Sequence, residues 1–228
     1  MDLAIFDLDN TLLGGDSDYL WGRWLVQHQL VDGAFYEREN LRFYSEYKSG
    51  TMDIFEFLRF ALRPLADNDL DKLLALRQRF MTEVIQPIML PAAQRLVDEH
   101  RAQGHTLLII TATNRFVTEP IASAFGIDQL IATDPEIRDG CYTGNVSGTP
   151  SFREGKVERL NQWLKENGYN LASSWFYSDS LNDLPLLEMV THPVAVDADD
   201  TLTYHAKTKG WPIISLRDGH SDEPHDDN

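Results

Sequence analysis

At 228 residues, 43% apolar and 25% charged, the chain has the composition of a folded globular protein long enough to bury a full core. A net charge of −16 opposes association with nucleic acid or anionic lipid, because both rely on Lys and Arg neutralising phosphates. The single cysteine, Cys141, excludes an internal disulfide and a cysteine-based zinc site. The first residues carry acids at Asp2 and Asp7 and no basic region before a long apolar run, so neither signal peptide nor membrane span is expected, and the cytoplasm is the expected location.

Leu3, Ala4, Ile5 and Phe6 read as a short buried strand, and Asp7-Leu8-Asp9-Asn10-Thr11 follows where that strand leaves the core. In open α/β sheets ligands bind beyond the carboxyl ends of the strands, and two such acids can hold a divalent cation. Asp-x-Asp is equally a strand-terminating turn whose side chains bond back to the backbone. The motif alone does not separate the two readings.

Residues 15 to 89 are rich in aromatics and show helical spacing without alternating strands. Trp21, Trp24, Leu25 and His28 share one face, as do Phe55, Leu58 and Leu62. Phe43, Tyr44 and Tyr47 mark another helix, stopped at Lys48-Ser49-Gly50, with Thr51-Met52-Asp53 opening the next. An all-helical insertion is predicted here.

From Leu90-Pro91 onward helix and strand alternate. Helices are predicted over Ala92 to Gln103, Arg115 to Phe125 and Glu154 to Asn167, each closed by a glycine. Strands are predicted over Thr106 to Ile110, Leu130 to Thr133, Trp175 to Tyr177, Val194 to Val196 and Ile213 to Leu216, with Asp139-Gly140 turning a hairpin between Ile137 and Tyr142. Such alternation predicts an α/β fold with a Rossmann-like parallel sheet core flanked by helices. The expected division is a core of residues 1–14 and 90–217, a helical insertion of residues 15–89, and a disordered acidic tail of residues 218–228. That tail has four Asp, one Glu and the pair His220 and His225, without a hydrophobic anchor.

Three further signals fall at predicted strand ends. Thr111-Ala112-Thr113-Asn114 is a hydroxyl-rich turn opening a helix, suited to a phosphate and equally an ordinary helix cap. Ser178-Asp179-Ser180-Leu181-Asn182-Asp183 places two carboxylates four residues apart at a helix start, where Asp is also a common cap. Lys156 begins the preceding helix, against its dipole, where a solvated surface lysine is the plain reading.

In this order, Asp-x-Asp-x-Thr, a strand-end Thr, a later Lys and Asp-Ser-x-x-Asp resemble the four motifs of the haloacid dehalogenase superfamily of phosphatases. The resemblance covers nearly the whole core. It implies that Asp7 is the nucleophile, forming an aspartyl-phosphate, and that Asp9 is the acid that protonates the leaving alkoxide and then activates water. It implies Mg2+ held by Asp7, Asp179 and the backbone carbonyl of Asp9, with Asp183 as ligand or close by. Thr111, the amide of Ala112, and Lys156 would neutralise the remaining phosphate oxygens. Ser178 departs from the glycine frequent in this motif.

The position of the insertion resembles the helical C1-type cap of the phosphoserine phosphatase branch, and Tyr-Ser-Asp-Ser-x-x-Asp-x-Pro-Leu-Leu at 177–187 is similar to bacterial members of it, several of which are histidinol phosphatases. Asp16 matches the position of an acid that grips the substrate ammonium in phosphoserine phosphatases. Asp18, Trp21 and Arg115 are the other candidate substrate contacts, while Trp21 on a helical stripe is also an ordinary core residue. A phosphoserine carboxylate would call for an arginine, with Arg23, Arg42, Arg59 and Arg115 available. The resemblance thus implies a small amino-alcohol phosphate ester as partner: histidinol phosphate first, then phosphoserine, then phosphocholine or phosphoethanolamine. A dehalogenase would not need Asp9, Asp179 and Asp183 together. A phosphate-sensing module without activity would have lost a charged position of the set, and none is lost.

Overall fold

The computed structural model describes residues 2–217, apart from the side chain of Lys48. In chain order, β1 (Leu3–Phe6) is followed by the helices α1 (Ser17–Gln27), α2 (Gly33–Ser49), α3 (Ile54–Ala66), α4 (Leu70–Phe80) and α5 (Gln86–Ile88). A wider, π-helical turn over Met81–Ile85 joins α4 to α5. Then come α6 (Pro91–Ala102), β2 (Thr106–Asn114), α7 (Arg115–Ala124), β3 (Gln129–Arg138) and β4 (Cys141–Ser147). The chain continues through α8 (Glu154–Asn167), β5 (Ser174–Ser178), a 3-10 turn at Leu181–Asp183, α9 (Leu184–Leu187), β6 (His192–Val196), α10 (Asp200–Lys209) and β7 (Ile213–Ile214). The acidic stretch with His220 and His225 lies outside the described residues.

The strands form one sheet in the order β4-β3-β2-β1-β5-β6-β7, parallel throughout except for the β3–β4 hairpin at one edge. β1 sits in the middle and is wholly buried. Successive strand residues point to opposite faces. Ala4 and Phe6 accordingly enter the core shared with α1, α3, α4, α6 and α7, whereas Leu3 and Ile5 enter the core under α8, α9 and α10. That double burial is why the strand is a continuous apolar run rather than an alternating one. The order places Asp7 and Asp179, one residue past β1 and β5, at neighbouring strand ends.

Helix ends follow local chemistry: Gly50 stops α2 in the left-handed region at φ 74°, and the Asp53 side chain caps the start of α3 by accepting from the backbone of Phe55 and Glu56. On α3, Leu58 and Leu62 are buried as their spacing predicts, but Phe55 is 52% exposed, one turn too early to reach the core. α10 has no counterpart in the sequence reading; its apolar face is reduced to Leu202 and Ala206. Strand β2 is longer than expected. The stretch read as a turn, Thr111 to Asn114, is extended, and the chain turns only at Asn114, whose side chain caps α7.

The helical segment leaves and re-enters the sheet at a single place. Leu13 pairs with Met89 in an antiparallel bridge, Gly14 N–H donates to the Ile88 carbonyl at 2.8 Å, and Leu90 N–H donates to Leu12 at 3.3 Å.

Candidate active site

Asp7 continues the β1 ladder, its N–H donating to the Tyr177 carbonyl at 2.9 Å, so the backbone of its neighbour β5 fixes its position. Its carboxylate is buried. Oδ1 accepts from Lys156 Nζ at 2.8 Å and Oδ2 from Thr11 Oγ1 at 3.3 Å. Thr11 returns under Asp7 because the chain after Leu8 closes a helical turn, with Leu12 and Leu13 N–H donating to the Leu8 carbonyl. The same Thr11 hydroxyl lies 3.2 Å from Asp179 Oδ1 and accepts from Asp179 N–H at 3.1 Å. One hydroxyl proton thus stands between two carboxylates and can serve only one at a time.

Lys156 is buried at the start of α8, and its Nζ also contacts both oxygens of Asp183, at 2.8 and 2.9 Å. The turn that delivers it is tight. A Cβ on Gly155 would sit 2.1 Å from the Pro150 carbonyl oxygen, so only glycine fits, and Arg153 is held at φ 50°. Asp183 is anchored further by Ser178 Oγ at 2.8 Å, which gives the serine at this position a partner that a glycine would lack. Burial works to lower the lysine pKa, but Asp183 and Asp7 outweigh it and hold the ammonium charged. The carboxylates outnumber their cation. Burial, with Asp183 and Asp9 nearby, pushes Asp7 up to about 7 in spite of Lys156, and burial beside Asp7 and Asp183 pushes Asp179 up to about 8.

Asp9 turns to the opposite side. Its Oδ1 accepts from the backbone N–H of Ser17 at 2.6 Å, and its Oδ2 from Thr113 Oγ1 at 2.7 Å and Thr111 Oγ1 at 3.4 Å. Burial and the charge of Asp16 raise it to about 6, a value at which a carboxyl both gives and takes protons near neutrality. The buried Ser17 hydroxyl lies against this carboxylate without meeting hydrogen-bond geometry.

Asp16 caps α1, accepting from the N–H groups of Asp18 and Tyr19. Solvent reaches it, yet surrounding protein is dense enough to raise its pKa. Asp18 is half-buried, accepts from Asn114 Nδ2 at 3.1 Å, and is pushed up to about 8 by burial and by the charges of Asp16 and Asp9. Two acids therefore join Asp9 on the wall formed by α1.

The other two expected substrate contacts lie elsewhere. Arg115 points away from this wall, donating to Asp134 on β3 and to the Leu130 carbonyl at 3.1 Å. Those acceptors claim it because its helix packs on β3. Trp21 is 2% exposed and stacks in the core with Trp24 and Phe80. Ala112 contributes its carbonyl to Thr133 Oγ1 at 2.8 Å, and the Thr111 hydroxyl is buried beside it.

Thr11, Ser17, Thr113 and Tyr47 are site residues that sequence reasoning did not assign. Tyr47 brings α2 over the strand ends: its hydroxyl is 3.2 Å from Ser180 Oγ, its ring packs on Phe152, and next to it Arg153 Nε donates to Asn182 Oδ1 at 2.9 Å. Among these, Thr11 was visible as the threonine of Asp-x-Asp-x-Thr without a role, and the i, i+2 spacing of Thr111 and Thr113 was the other available signal.

Among the described residues no three carboxylate, imidazole or thiolate groups converge enough to hold an ion by themselves. The residues still fit Mg2+, which is usually bound through one or two carboxylates with waters and substrate phosphate oxygens. Asp7 and Asp179 meet at one hydroxyl, offer only oxygen, and carry charge that Lys156 does not balance.

A sequence profile of the haloacid dehalogenase-like hydrolases matches residues 4–188, a span that includes every one of these groups. The chain belongs to that family. This haloacid dehalogenase-type phosphatase is 47% identical over 220 residues, 95% of its own length and 99% of the relative's, to a Neisseria meningitidis serogroup C (strain 8013) protein named histidinol-phosphatase. It is similar at 46% identity and a TM-score of 0.90 to a crystal structure of a protein of unknown function from Bordetella pertussis Tohama I, with 95% and 99% of the two chains covered. At 21% identity and a TM-score of 0.68 it shares the fold of a phosphoserine phosphatase solved as a phospho-aspartyl intermediate analogue, covering 95% and 93%. No helix among the described residues is long and apolar enough to cross a membrane.

Proposed function

We propose that this phosphatase hydrolyses histidinol phosphate, with Asp7 as nucleophile, Asp9 as acid and base, and residues 15–89 as a cap that selects the substrate. The observation that carries the substrate is the wall of Asp16 and Asp18 beside Asp9, a match for an amine and an imidazole rather than for a carboxylate. The name of the Neisseria relative supports the same reading. The four arginines considered for a phosphoserine carboxylate have other surroundings: Arg42 pairs with Glu39, Glu46 and Glu56, Arg115 with Asp134, Arg23 lies over the Tyr19 ring at 5.9 Å, and Arg59 lines a surface hollow with Phe55 and Asn145.

A phosphate monoester repels nucleophiles, so its cleavage depends on positioning and charge neutralisation. Lys156 holds Asp7 in place and offers its ammonium to the phosphoryl oxygens, with the Thr111 hydroxyl as a further donor. An Asp7 oxygen attacks phosphorus, and Asp9 gives its proton to the departing alcohol oxygen. Asp9, now ionised, takes a proton from the water that cleaves the aspartyl-phosphate. Mg2+, held by Asp7, Asp179 and the backbone carbonyl of Asp9, would supply compensating positive charge to the phosphoryl group. Asp183 serves chiefly to fix Lys156.

The test is phosphate release in Mg2+ from histidinol phosphate, phosphoserine and phosphocholine. Histidinol phosphate is expected to have the highest kcat/KM by about tenfold or more, a transition-state preference of about 1.4 kcal/mol. A phosphoserine value equal to or above it overturns the substrate.

A further inference from the structure

Asp9 is gripped at both oxygens, and the two grips come from different parts of the chain. Oδ1 takes the backbone N–H of Ser17 at 2.6 Å, a donor present whatever side chain stands there. Oδ2 takes the hydroxyl of Thr113 at 2.7 Å, within the range of a charge-assisted hydrogen bond. Thr111 reaches the same oxygen only at 3.4 Å, and its Oγ1 also accepts from Thr113 N–H at 3.2 Å. Both threonines face Asp9 because β2 stays extended to Asn114, and residues two apart on a strand share a face. The register of β2 against β3 shifts between Ile110 and Asn114, an irregularity of the kind that re-aims side chains beside active sites. Thr113 is buried, and Asp9 is the only hydrogen-bond partner of its hydroxyl among the described residues.

We propose that Thr113 is the positioning residue for the leaving-group acid, locking the Asp9 carboxyl so that its proton points at the departing oxygen. This rests on the reading of Asp9 as that acid. In the step concerned, a lone pair of an Asp7 oxygen forms the new O–P bond while the P–O bond to the alcohol breaks, its electron pair going to the alcohol oxygen. That oxygen takes the proton from Asp9, which is left as a carboxylate. Oδ2 has two lone-pair directions: one accepts from Thr113, and in the acid form the other carries the proton in place of the long Thr111 contact. Without the hydroxyl, the carboxyl keeps the Ser17 bond and only the long 3.4 Å contact of Thr111, and turns about the bond to Ser17. An acid aimed wrongly fails where the leaving group needs its proton, and matters little where it does not.

That difference is the readout. Thr113→Val keeps the branched shape and removes the hydroxyl, Thr113→Ser restores it, and Asp9→Asn removes the acid. Each is assayed by kcat/KM on histidinol phosphate or another alkyl phosphate, and on nitrophenyl phosphate, whose leaving group departs without a proton. kcat/KM reports events up to alcohol departure, so later hydrolysis of the aspartyl-phosphate does not enter. Thr113→Val is expected to lower the alkyl-to-nitrophenyl ratio of kcat/KM by about 10- to 100-fold, Thr113→Ser to recover most of it, and Asp9→Asn to lower it further. An unchanged ratio in Thr113→Val, with the ratio collapsed in Asp9→Asn, overturns the positioning role. An unchanged ratio in Asp9→Asn overturns the acid assignment beneath it. Should Thr113→Val not fold by circular dichroism, Thr113→Ala carries the same comparison.

Discussion

Replacing Lys156 by Met removes one charge and little volume, and its cost follows from what the ammonium touches. Nζ lies 2.8 Å from Asp7 Oδ1 and 2.8 Å from Asp183 Oδ1, with only 5% of the residue exposed. Removing one partner of a buried ion pair costs about 3–5 kcal/mol, because the other is left charged in a poor solvent. Here two carboxylates lose their cation together, so the upper part of that range is expected for Lys156→Met at about pH 8. The loss has a pH signature. Asp7, already raised to about 7, is raised further without the lysine, so acidification neutralises it and the deficit shrinks toward about pH 5. Urea unfolding of both proteins in EDTA at these two pH values measures the difference from midpoint and slope. A loss below about 1 kcal/mol at the higher pH, or an equal loss at both, would refute the reasoning.

Asp7→Asn is expected to retain the fold by circular dichroism while phosphate release falls below about 1% of wild type, since an amide cannot form the aspartyl-phosphate; substantial turnover would sink the nucleophile assignment. The intact protein in EDTA is expected to lose stability as pH rises. Asp7, Asp9 and Asp179 are raised to about 7, 6 and 8, so the folded chain binds more protons than the unfolded one from about pH 4 upward. Their contribution is complete below the unfolded carboxyl pKa and disappears as pH passes the folded values. Mg2+ is expected to raise the melting temperature more at about pH 8 than at about pH 5.5, because at the lower value protons compete for the same oxygens. A melting temperature that climbs with pH in EDTA, or ignores Mg2+ at about pH 8, contradicts this.

How far the sequence could be read depended on the range of the forces involved. A strand that ends in an acid is a local pattern, and Asp7 and Asp179 do stand one residue past β1 and β5. Pairings such as Lys156 with Asp7, 149 residues away, depend on sheet order, which no local pattern encodes. Ser178 showed only a departure from a motif, and its bond to Asp183 explains what the hydroxyl does there. Thr113 was hidden by reading residues 111–114 as a turn, although threonines two apart are what an extended strand would use to aim two hydroxyls one way. Arg115 was misjudged because closeness in sequence to Thr111 says nothing of direction, which Asp134 and a β3 carbonyl decide. The aromatic stripe carried the same ambiguity, and Trp21 settled into packing.

The bridge between Leu13 and Met89 has a consequence for how such a protein can change. Both ends of the helical segment meet at one bridge, closed by backbone hydrogen bonds. A segment whose two ends meet at one place tolerates changes of length in its exposed turns, whereas Trp21, Leu58, Leu62 and Phe80 share a core with Ala4 and Phe6 of the sheet and can vary only in step with it. Asp7, Asp9, Asp179 and Asp183 stay on the host side of that junction, and Asp16 and Asp18 travel with the helical segment. If the proposed roles hold, new substrates are reachable by changing the exposed residues of one contiguous stretch of chain while the carboxylates at the strand ends stay in place.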